Sequence, residues 1–277
     1  MTKMPGSKKN LNDLSVVIKG AGEMASGITH RLYQAGIHRI AMLEIARPLS
    51  VRRFVSFCEA VYDGTAKVEG VESEMVTDVP SIKKAWERGR IAVIVDPAWK
   101  TVKTLSPDAV VDATMAKRNL GTTKTEAPFV IGVGPGFEAP RDVHAVVESN
   151  RGHDLGRVIY DGTAEPYTGV PGEMKGVGKE RVLRAPSAGM VKHIRKIGDA
   201  VKEGEPVLFV GDAQVCAPFD GILRGLIREI EVEKNEKVGD VDPRAKREFC
   251  RTISDKARAI GGGVLEALLH EYNEMEK

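Results

Sequence analysis

The stretch SVVIKGAGEMASGITHRLYQAG, residues 15–36, decides how the first part of the chain folds. It opens with a run of β-branched residues, which is typical of a short buried strand in a parallel sheet. Gly20 ends this strand, apolar residues then recur at helical spacing, and Gly36 stops the helix. Residues 40–44 are largely apolar again and predict a second strand. The stretch therefore predicts a β-α-β unit over residues 15–45.

The turn between this strand and this helix has the pattern G-x-G-x-x-A. Gly22 leaves room for a pyrophosphate, to which the start of the helix offers free N–H groups. Glu44 lies 22 residues after Gly22, where a carboxylate can accept hydrogen bonds from a ribose. These features favour a Rossmann-type dinucleotide site over a glycine-rich turn without a ligand. The predicted cofactor-binding residues are Gly20, Ala21, Gly22, Glu23, Met24, Ala25 and Glu44.

Further strands and an amphipathic helix continue the alternation of strand and helix, which predicts an α/β fold with a parallel sheet. The strands are expected at residues 91–96, 109–113 and 129–133, and the helix at residues 80–88. We assign residues 14–136 to this Rossmann-like domain. Gly134 and Gly136, after the last strand, are candidates for a second loop around a phosphate, with a plain turn as the alternative.

Residues 137–180 predict a connecting region that is rich in ionisable side chains. Ionisable side chains from this region and from the C-terminal segment are candidates for one wall of a site that binds an anionic ligand. The alternative is that they form surface ion pairs on a polar loop. His144 and Glu148 would share a face if they were helical, but the spacing is not typical of a metal site, and we predict none. The wall candidates are His144, Arg151, His153, Arg157, Lys256 and Arg258.

Residues 181–243 contain an internal repeat, because APSAG at 185–189 recurs as APFDG at 217–221. Each copy is followed by an apolar stretch and a Gly-Asp pair that we interpret as a turn, at Gly198 and at Gly239. The repeat predicts a small β-sandwich of two similar halves, which resembles the biotinyl/lipoyl hammerhead domain. The hairpin expected at 210–215 has no modifiable lysine, so a covalent swinging arm is not predicted.

The C-terminal segment, residues 244–277, predicts a helix over 254–274. Gly261, Gly262 and Gly263 are expected to interrupt it, because each glycine costs about 1 kcal/mol relative to alanine in a helix. We expect these glycines to allow the close approach of a backbone or a ligand.

The overall composition disfavours several classes of protein and of partner. The formal net charge is +2 and the three cysteines are far apart, so neither a nucleic-acid partner nor a disulfide framework is favoured. Cys58 follows two arginines, but a buried cysteine is favoured over a reactive thiol. Residues 1–13 predict a disordered lead-in without a signal peptide, and no apolar run reaches the ~18 residues of a membrane span. We therefore expect a cytoplasmic protein; its oligomeric state, including a homo-oligomer, is left open.

Four segments together resemble the selenium-dependent molybdenum hydroxylase system protein (selenium-dependent hydroxylase accessory) family. They are residues 16–27, 59–64, 134–153 and 252–267, and the resemblance covers nearly the whole chain after Leu14. Cys58 stands where this family would be expected to have serine. The resemblance implies a role in the maturation of a molybdenum hydroxylase, in handling its cofactor or its selenium.

Three functions follow from these observations. The leading one is an accessory factor that binds a dinucleotide-like cofactor, either NAD(P) or a molybdopterin dinucleotide, and acts on a molybdenum hydroxylase or its cofactor machinery. The second is an NAD(P)-dependent oxidoreductase, which needs a proton donor such as His144, His153 or Lys256. The third is a non-enzymatic adaptor. No catalytic residue is assigned, since the chain shows no hydrolase or kinase motif.

Overall fold

The computed structural model describes residues 10–167, 169 and 176–272. Its first part contains β1 (Ser15–Lys19), α1 (Glu23–Gln34), β2 (Arg39–Glu44), α2 (Ala60–Asp63), β3 (Thr65–Val68), β4 (Val71–Val76), α3 (Val79–Glu87), β5 (Ile91–Val95), α4 (Lys100–Leu105), β6 (Ala109–Asp112), β7 (Phe129–Val133), β8 (Glu138–Ala139), β9 (Ala145–Val147), β10 (Val158–Ile159) and β11 (Gly162–Thr163). The second part contains β12 (Val182–Arg184), β13 (Gly189–His193), β14 (Ala200–Val201), β15 (Pro206–Val210), β16 (Ala213–Cys216), β17 (Gly221–Leu226), β18 (Glu231–Val232), β19 (Lys237–Asp242) and finally α5 (Asp255–Tyr272).

The main sheet has the strand order β10-β9-β7-β6-β1-β2-β5-β4-β3 among the described residues. The strands from β9 to β4 pair in parallel, and antiparallel partners, β10 and β3, flank them. After β2 and β5 have been added on one side of β1, the chain returns to place β6 on the other side. The predicted α/β fold with a parallel sheet is confirmed. Ligands of such sheets bind beyond the carboxyl ends of the strands where the order reverses, here β1 and β6.

The sheet continues past Gly136, where the sequence predicted the first domain to end. β9 pairs in parallel with β7, and β10 pairs with β9. The buried side chains of β9 lie in the same apolar clusters as those of β1 and β6. These strands are short and lie among polar residues, so their local pattern did not separate them from a connecting region.

α5 is a continuous helix, and the predicted interruption at the three glycines is wrong. A Cβ at Gly261 would lie 3.0 Å from the Gly27 carbonyl oxygen of α1, and one at Gly263 would lie 2.1 Å from the Gly156 carbonyl oxygen. The predicted close approach of backbone is therefore confirmed at these two positions. Packing against α1 and the sheet offsets the low helix propensity of glycine.

We call residues 10–167 and 247–272 the first lobe, because α5 shares its buried core with β1, α1 and β7. Residues 182–242 form the second lobe, in which two four-stranded antiparallel sheets, β12-β19-β17-β14 and β16-β15-β13-β18, are described. Side chains from both sheets form one apolar cluster, and Val51 of the first lobe joins it. A Cβ at Gly225 would lie 2.6 Å from the Val51 carbonyl oxygen, so the two lobes are in direct contact.

Each copy of the sequence repeat leads into a strand, since β13 begins at Gly189 and β17 at Gly221. The predicted hairpin is confirmed, with β15 and β16 paired in antiparallel. The second Gly-Asp pair is not a turn, because Gly239 lies inside β19. A Cβ there would lie 2.8 Å from Cδ1 of Leu183, so this glycine serves close packing between strands.

At the start of the chain, residues 1–9 of the predicted disordered lead-in lie outside the described residues. Leu11–Asp13 forms a 3-10 turn, which Asn10 caps by accepting the backbone N–H of Asn12. The prediction of disorder up to residue 13 is therefore wrong for this turn. Among the described residues no helix is both long and apolar enough to cross a membrane.

Candidate functional site

The turn between β1 and α1 has the backbone that its glycines require. Gly20 has a φ of +91°, which L side chains rarely adopt, and its N–H donates to the Leu43 carbonyl at 2.7 Å. Gly22 is the N-cap of α1, and no described side chain caps this helix end. A Cβ at Gly22 would meet none of the described atoms within 4 Å. Gly22 and the first residues of α1 line an open space, as an anion site at a helix N-terminus requires.

This open space is a cleft of about 740 Å³ between the two lobes. It lies at the carboxyl ends of β1 and β6, and the second lobe contributes Glu236 and Lys237 to its wall. Ala21 is the one predicted loop residue that does not line it, since its side chain is fully buried. The predicted residues that do line it are Gly20, Gly22, Glu23, Met24, Ala25 and Glu44.

Glu44 closes one side of the glycine turn. Its Oε1 accepts the backbone N–H of Ala21 at 2.9 Å, and its Oε2 accepts that of Ile45 at 2.7 Å. Burial raises the pKa of this carboxyl above its usual value, although the two backbone donors oppose the shift. Each carboxylate oxygen keeps a further lone pair for a ligand hydroxyl.

Arg52 is the most buried cation of the cleft, with 3% of its surface exposed. Nη1 contacts Glu23 Oε1 at 3.1 Å, and Nη2 donates to the carbonyls of Phe249 and Thr252 at 2.8 and 3.0 Å. Nε is buried and has no hydrogen-bond partner in the part of the chain that the structure describes. Burial lowers the pKa of this guanidinium, and Glu23 partly restores it. In the sequence, Arg52 is one of the two arginines that precede Cys58, and nothing there marked it as a residue of the site.

Beside the cleft, Lys19 is fully buried at the end of β1. Its ammonium donates to Thr122 Oγ1 at 2.6 Å and lies 2.7 Å from Glu126 Oε2. Thr122 in turn donates to Asp112 Oδ2 at 2.7 Å, so the lysine reaches this carboxylate through a hydroxyl. Burial lowers the pKa of Lys19, while Glu126 and Asp112 oppose the shift.

Trp99 connects this buried network to the cleft. The Lys19 ammonium lies 3.7 Å from the centre of the Trp99 ring, which lines the cleft wall. Trp99 has a φ of +56°, and Met115, another lining residue, has a φ of +59°. Such backbone strain costs about 1–3 kcal/mol per residue and concentrates at functional sites.

The second lobe brings Lys237, which the sequence did not single out. Lys237 lines the cleft, and among the described residues its ammonium has neither a hydrogen bond nor an ion pair. Burial lowers the pKa of this lysine, and the charges of Asp240 and Glu23 oppose the shift. No local pattern marks Lys237, because its position depends on how the two lobes meet.

Beneath Lys237 lies a buried ion cluster centred on Asp240, which is fully buried. Arg224 Nε donates to Asp240 Oδ2 at 2.7 Å, and Arg181 contacts Oδ1. Arg224 also contacts Asp242 at 3.4 Å. The neighbouring cations hold the pKa of Asp240 below its usual value against the effect of burial. The cluster fixes the start of β19 and with it the position of Lys237.

The mouth of the cleft is apolar. Ile45, Leu49, Leu120 and Tyr167 line it and expose between 45% and 60% of their surfaces. Large apolar side chains exposed at a cavity are typical of a binding surface.

Three arginines of the predicted anion wall are paired with carboxylates. Arg151 pairs with Asp255, at 2.9 Å between Nη2 and Oδ1, and Arg258 pairs with Glu69 at 2.7 Å. Arg157 contacts Asp154 at 3.3 Å. These pairs agree with the alternative of surface ion pairs.

The histidines of this segment also lie apart from the cleft. His144 precedes strand β9, so it shares no helix face with Glu148, and its Nδ1 accepts the Val130 N–H at 3.0 Å. His153 lies in a turn, and neither it nor Lys256 lines the cleft. Within the described ranges, no three His, Cys, Asp or Glu side chains are grouped to hold a metal ion.

Gly134 and Gly136 do not line the cleft either. A Cβ at Gly134 would lie 2.3 Å from Ser149 Oγ, and one at Gly136 would lie 2.5 Å from the Arg118 Cα. Both glycines also have a positive φ, +79° and +110°, so they agree with the alternative of a plain turn in which the glycines allow close packing. Cys58 lies at the cleft but is fully buried, and burial raises the pKa of its thiol well above the usual value. The preference for a buried cysteine is confirmed.

Comparison with known proteins gives one related sequence and several remote structures. No family model matches the chain. The chain is 49% identical over 255 residues to the uncharacterized protein YqeB of Escherichia coli strain K12. This similarity covers 92% of the chain and 47% of YqeB, so the chain spans about half the length of this curated relative.

Among solved structures, the chain is similar to TcdA (CsdL), with a TM-score of 0.35 and 11% identity, over 95% of this chain and 90% of the other. A succinylglutamatedesuccinylase/aspartoacylase from Rhodobacter sphaeroides gives a TM-score of 0.23 and 16% identity, over 49% and 58% of the two chains. Likenesses this remote support no inference about the function of the chain.

Proposed function

We propose that this protein is an accessory factor for the maturation of a selenium-dependent molybdenum hydroxylase, and that it binds a dinucleotide-like cofactor in the cleft between its lobes. The observation that carries the binding role is the uncapped N-terminus of α1, which faces the cleft behind Gly22. The hydroxylase role rests on the family resemblance of the sequence.

The contacts of the cleft support a ligand with a diphosphate and a ribose. The α1 amides offer donors for phosphate oxygens, and Glu44 lies at the neighbouring strand end as a ribose acceptor. In this proposal the first lobe is a Rossmann-like domain, since β1, α1 and β2 have its order and its turn. The apolar mouth suits the planar ring of a nicotinamide or a molybdopterin.

We further propose that the second lobe is hammerhead-like and acts without a covalent arm. Its two sheets share a core, its two repeat copies lead into β13 and β17, and the turn between β15 and β16 has no lysine. An oxidoreductase is less well supported, because the proton donors considered for it, His144, His153 and Lys256, do not line the cleft.

Substitution of Gly22 by valine tests the cleft as the binding site. Gly22 has an extended backbone and no neighbour within 4 Å of a Cβ, so the variant is expected to fold while its side chain fills the phosphate position. We expect the dissociation constant for NAD, ADP-ribose or a molybdopterin dinucleotide, measured by calorimetry, to rise at least tenfold. The reason is the loss of charge-assisted hydrogen bonds to the phosphates.

Gly152→Val is the matched control, because Gly152 also has open space around its Cβ position but does not line the cleft. Equal dinucleotide binding by the Gly22 and Gly152 variants would contradict the proposed site. The maturation role is tested by co-expressing a molybdenum hydroxylase with and without this protein. Full hydroxylase activity in its absence would contradict that role.

A further inference from the structure

We propose that the Nε of Arg52 and the ammonium of Lys237 are the two side-chain donors for a diphosphate, so that both lobes bind the same anion. This inference rests on the proposed function for the location of the site and extends it to the ligand class. The shared chemistry is a diphosphate, either free or within a nucleotide.

The first support is the unused donor of Arg52. Its side chain is almost entirely enclosed, and both Nη atoms are committed to Glu23 and to backbone carbonyls. Nε has no partner among the described residues, and Arg52 lines the cleft. A buried donor without a hydrogen bond is destabilising, and a ligand acceptor at this position would remove that cost.

The second support is Lys237, which reaches the cleft from the opposite lobe. Asp240, the carboxylate whose charge acts most strongly on Lys237, is hydrogen-bonded by Arg224 and contacts Arg181. The adjacent Glu236 accepts the backbone N–H of Lys237, at 3.2 Å. Since no described residue accepts a hydrogen bond from the ammonium, its donors are available to the cleft.

The third support is the set of hydrogen bonds that the carboxylates at this end of the cleft already make. Glu44 accepts two backbone N–H groups, and Glu23 is paired with Arg52. Among the described residues, the donors without a partner at this end of the cleft are Arg52 Nε, the Lys237 ammonium and the uncapped amides of α1. Donors of this kind, two of them on cationic side chains, match the oxygens of a diphosphate.

The experiment uses the full chain with two probes, inorganic pyrophosphate and ADP-ribose, and measures their dissociation constants by calorimetry. Lys237→Met is expected to weaken pyrophosphate binding by about tenfold or more, as a lost charge-assisted hydrogen bond predicts. Lys234→Met, which changes an exposed lysine of the turn that precedes β19, is the control and should bind like the wild type. Lys237→Arg should restore most of the binding.

The outcomes separate this inference from the proposed function. If Lys237→Met and Lys234→Met bind pyrophosphate equally, or if the wild type binds none, the inference is wrong. Loss of ADP-ribose binding in Gly22→Val with no effect of Lys237→Met would leave the proposed site intact and overturn only the inference. If pyrophosphate binding depends on Lys237 but no dinucleotide binds, the inference holds and the proposed dinucleotide site is wrong. Unfolding curves of each variant show whether it is folded.

Discussion

The two lobes each bury an ion beside the cleft, but with opposite sign and different surroundings. In the first lobe the buried ion is the cation Lys19, which is held by Thr122 and Glu126. In the second lobe it is the anion Asp240, which is held by two arginines. The first network satisfies its ammonium within its own lobe, whereas the second leaves the ammonium of Lys237 facing the cleft. An ion satisfied within its lobe stabilises the fold, and one left at the cavity wall is available to a ligand.

The strongest test of this contrast is Asp240→Asn. The substitution removes the charge that Arg181 and Arg224 share in a fully buried position. Breaking a buried ion pair from one side costs about 3–5 kcal/mol, and we expect a loss in the free energy of unfolding of that size. Urea denaturation measures it, with Asp212→Asn in an exposed turn as the control. A loss below about 1 kcal/mol would mean that Asp240 does not organise its cluster.

Lys19→Met is expected to have a smaller effect, about 1.5–3 kcal/mol, because the Glu126 side chain is partly exposed, whereas Asp240 is fully buried. The measurement is again the free energy of unfolding. Adding Glu126→Gln to this variant should cost less than Glu126→Gln does alone, because the two residues interact directly. Additive losses would show that the ammonium is held by Thr122 and not by this carboxylate.

The smallest loss in the free energy of unfolding is expected at the exposed ion pair of Arg151 and Asp255. The hydrogen bond from Arg151 lowers the pKa of Asp255 from 3.8 to about 2. The carboxyl therefore contributes stability that is fully present above pH 3.8 and is lost as the pH falls towards 2. Because 64% of the Asp255 side chain is exposed, we expect at most about 1 kcal/mol.

The check is the difference in unfolding free energy between the wild type and Asp255→Asn, measured from pH 5 down to pH 2. The difference should shrink as the carboxyl becomes protonated. A difference that stays constant over this range would show that the pair does not contribute through its charge.

Local sequence patterns were sufficient for the strand ends that form the cleft. The β-branched run before Gly20 and the acidic residue at Glu44 each depend on a few neighbouring residues, and the structure places both at the same cavity. Lys237 could not be found in this way. It lies some 200 residues from the glycine turn in a polar stretch, and only the contact between the lobes brings it to the cleft.

Glycine was the least reliable guide, because it has two different roles. At Gly20 a positive φ requires it, and the turn was predicted correctly. At Gly239, Gly261 and Gly263 the backbone is regular and the glycine makes room for a neighbouring element. Propensity predicts a turn or a break at such positions, whereas the contact that requires the glycine comes from a distant part of the chain.

The return of α5 to the core of the first lobe has a consequence for the anion site. The second lobe is a segment inserted into the first, with a covalent connection at each of its ends. A lobe joined at both ends samples far fewer orientations than one on a single flexible linker. The two covalent connections therefore hold Lys237 near the α1 N-terminus. Its effective concentration there does not depend on an affinity between two independent domains.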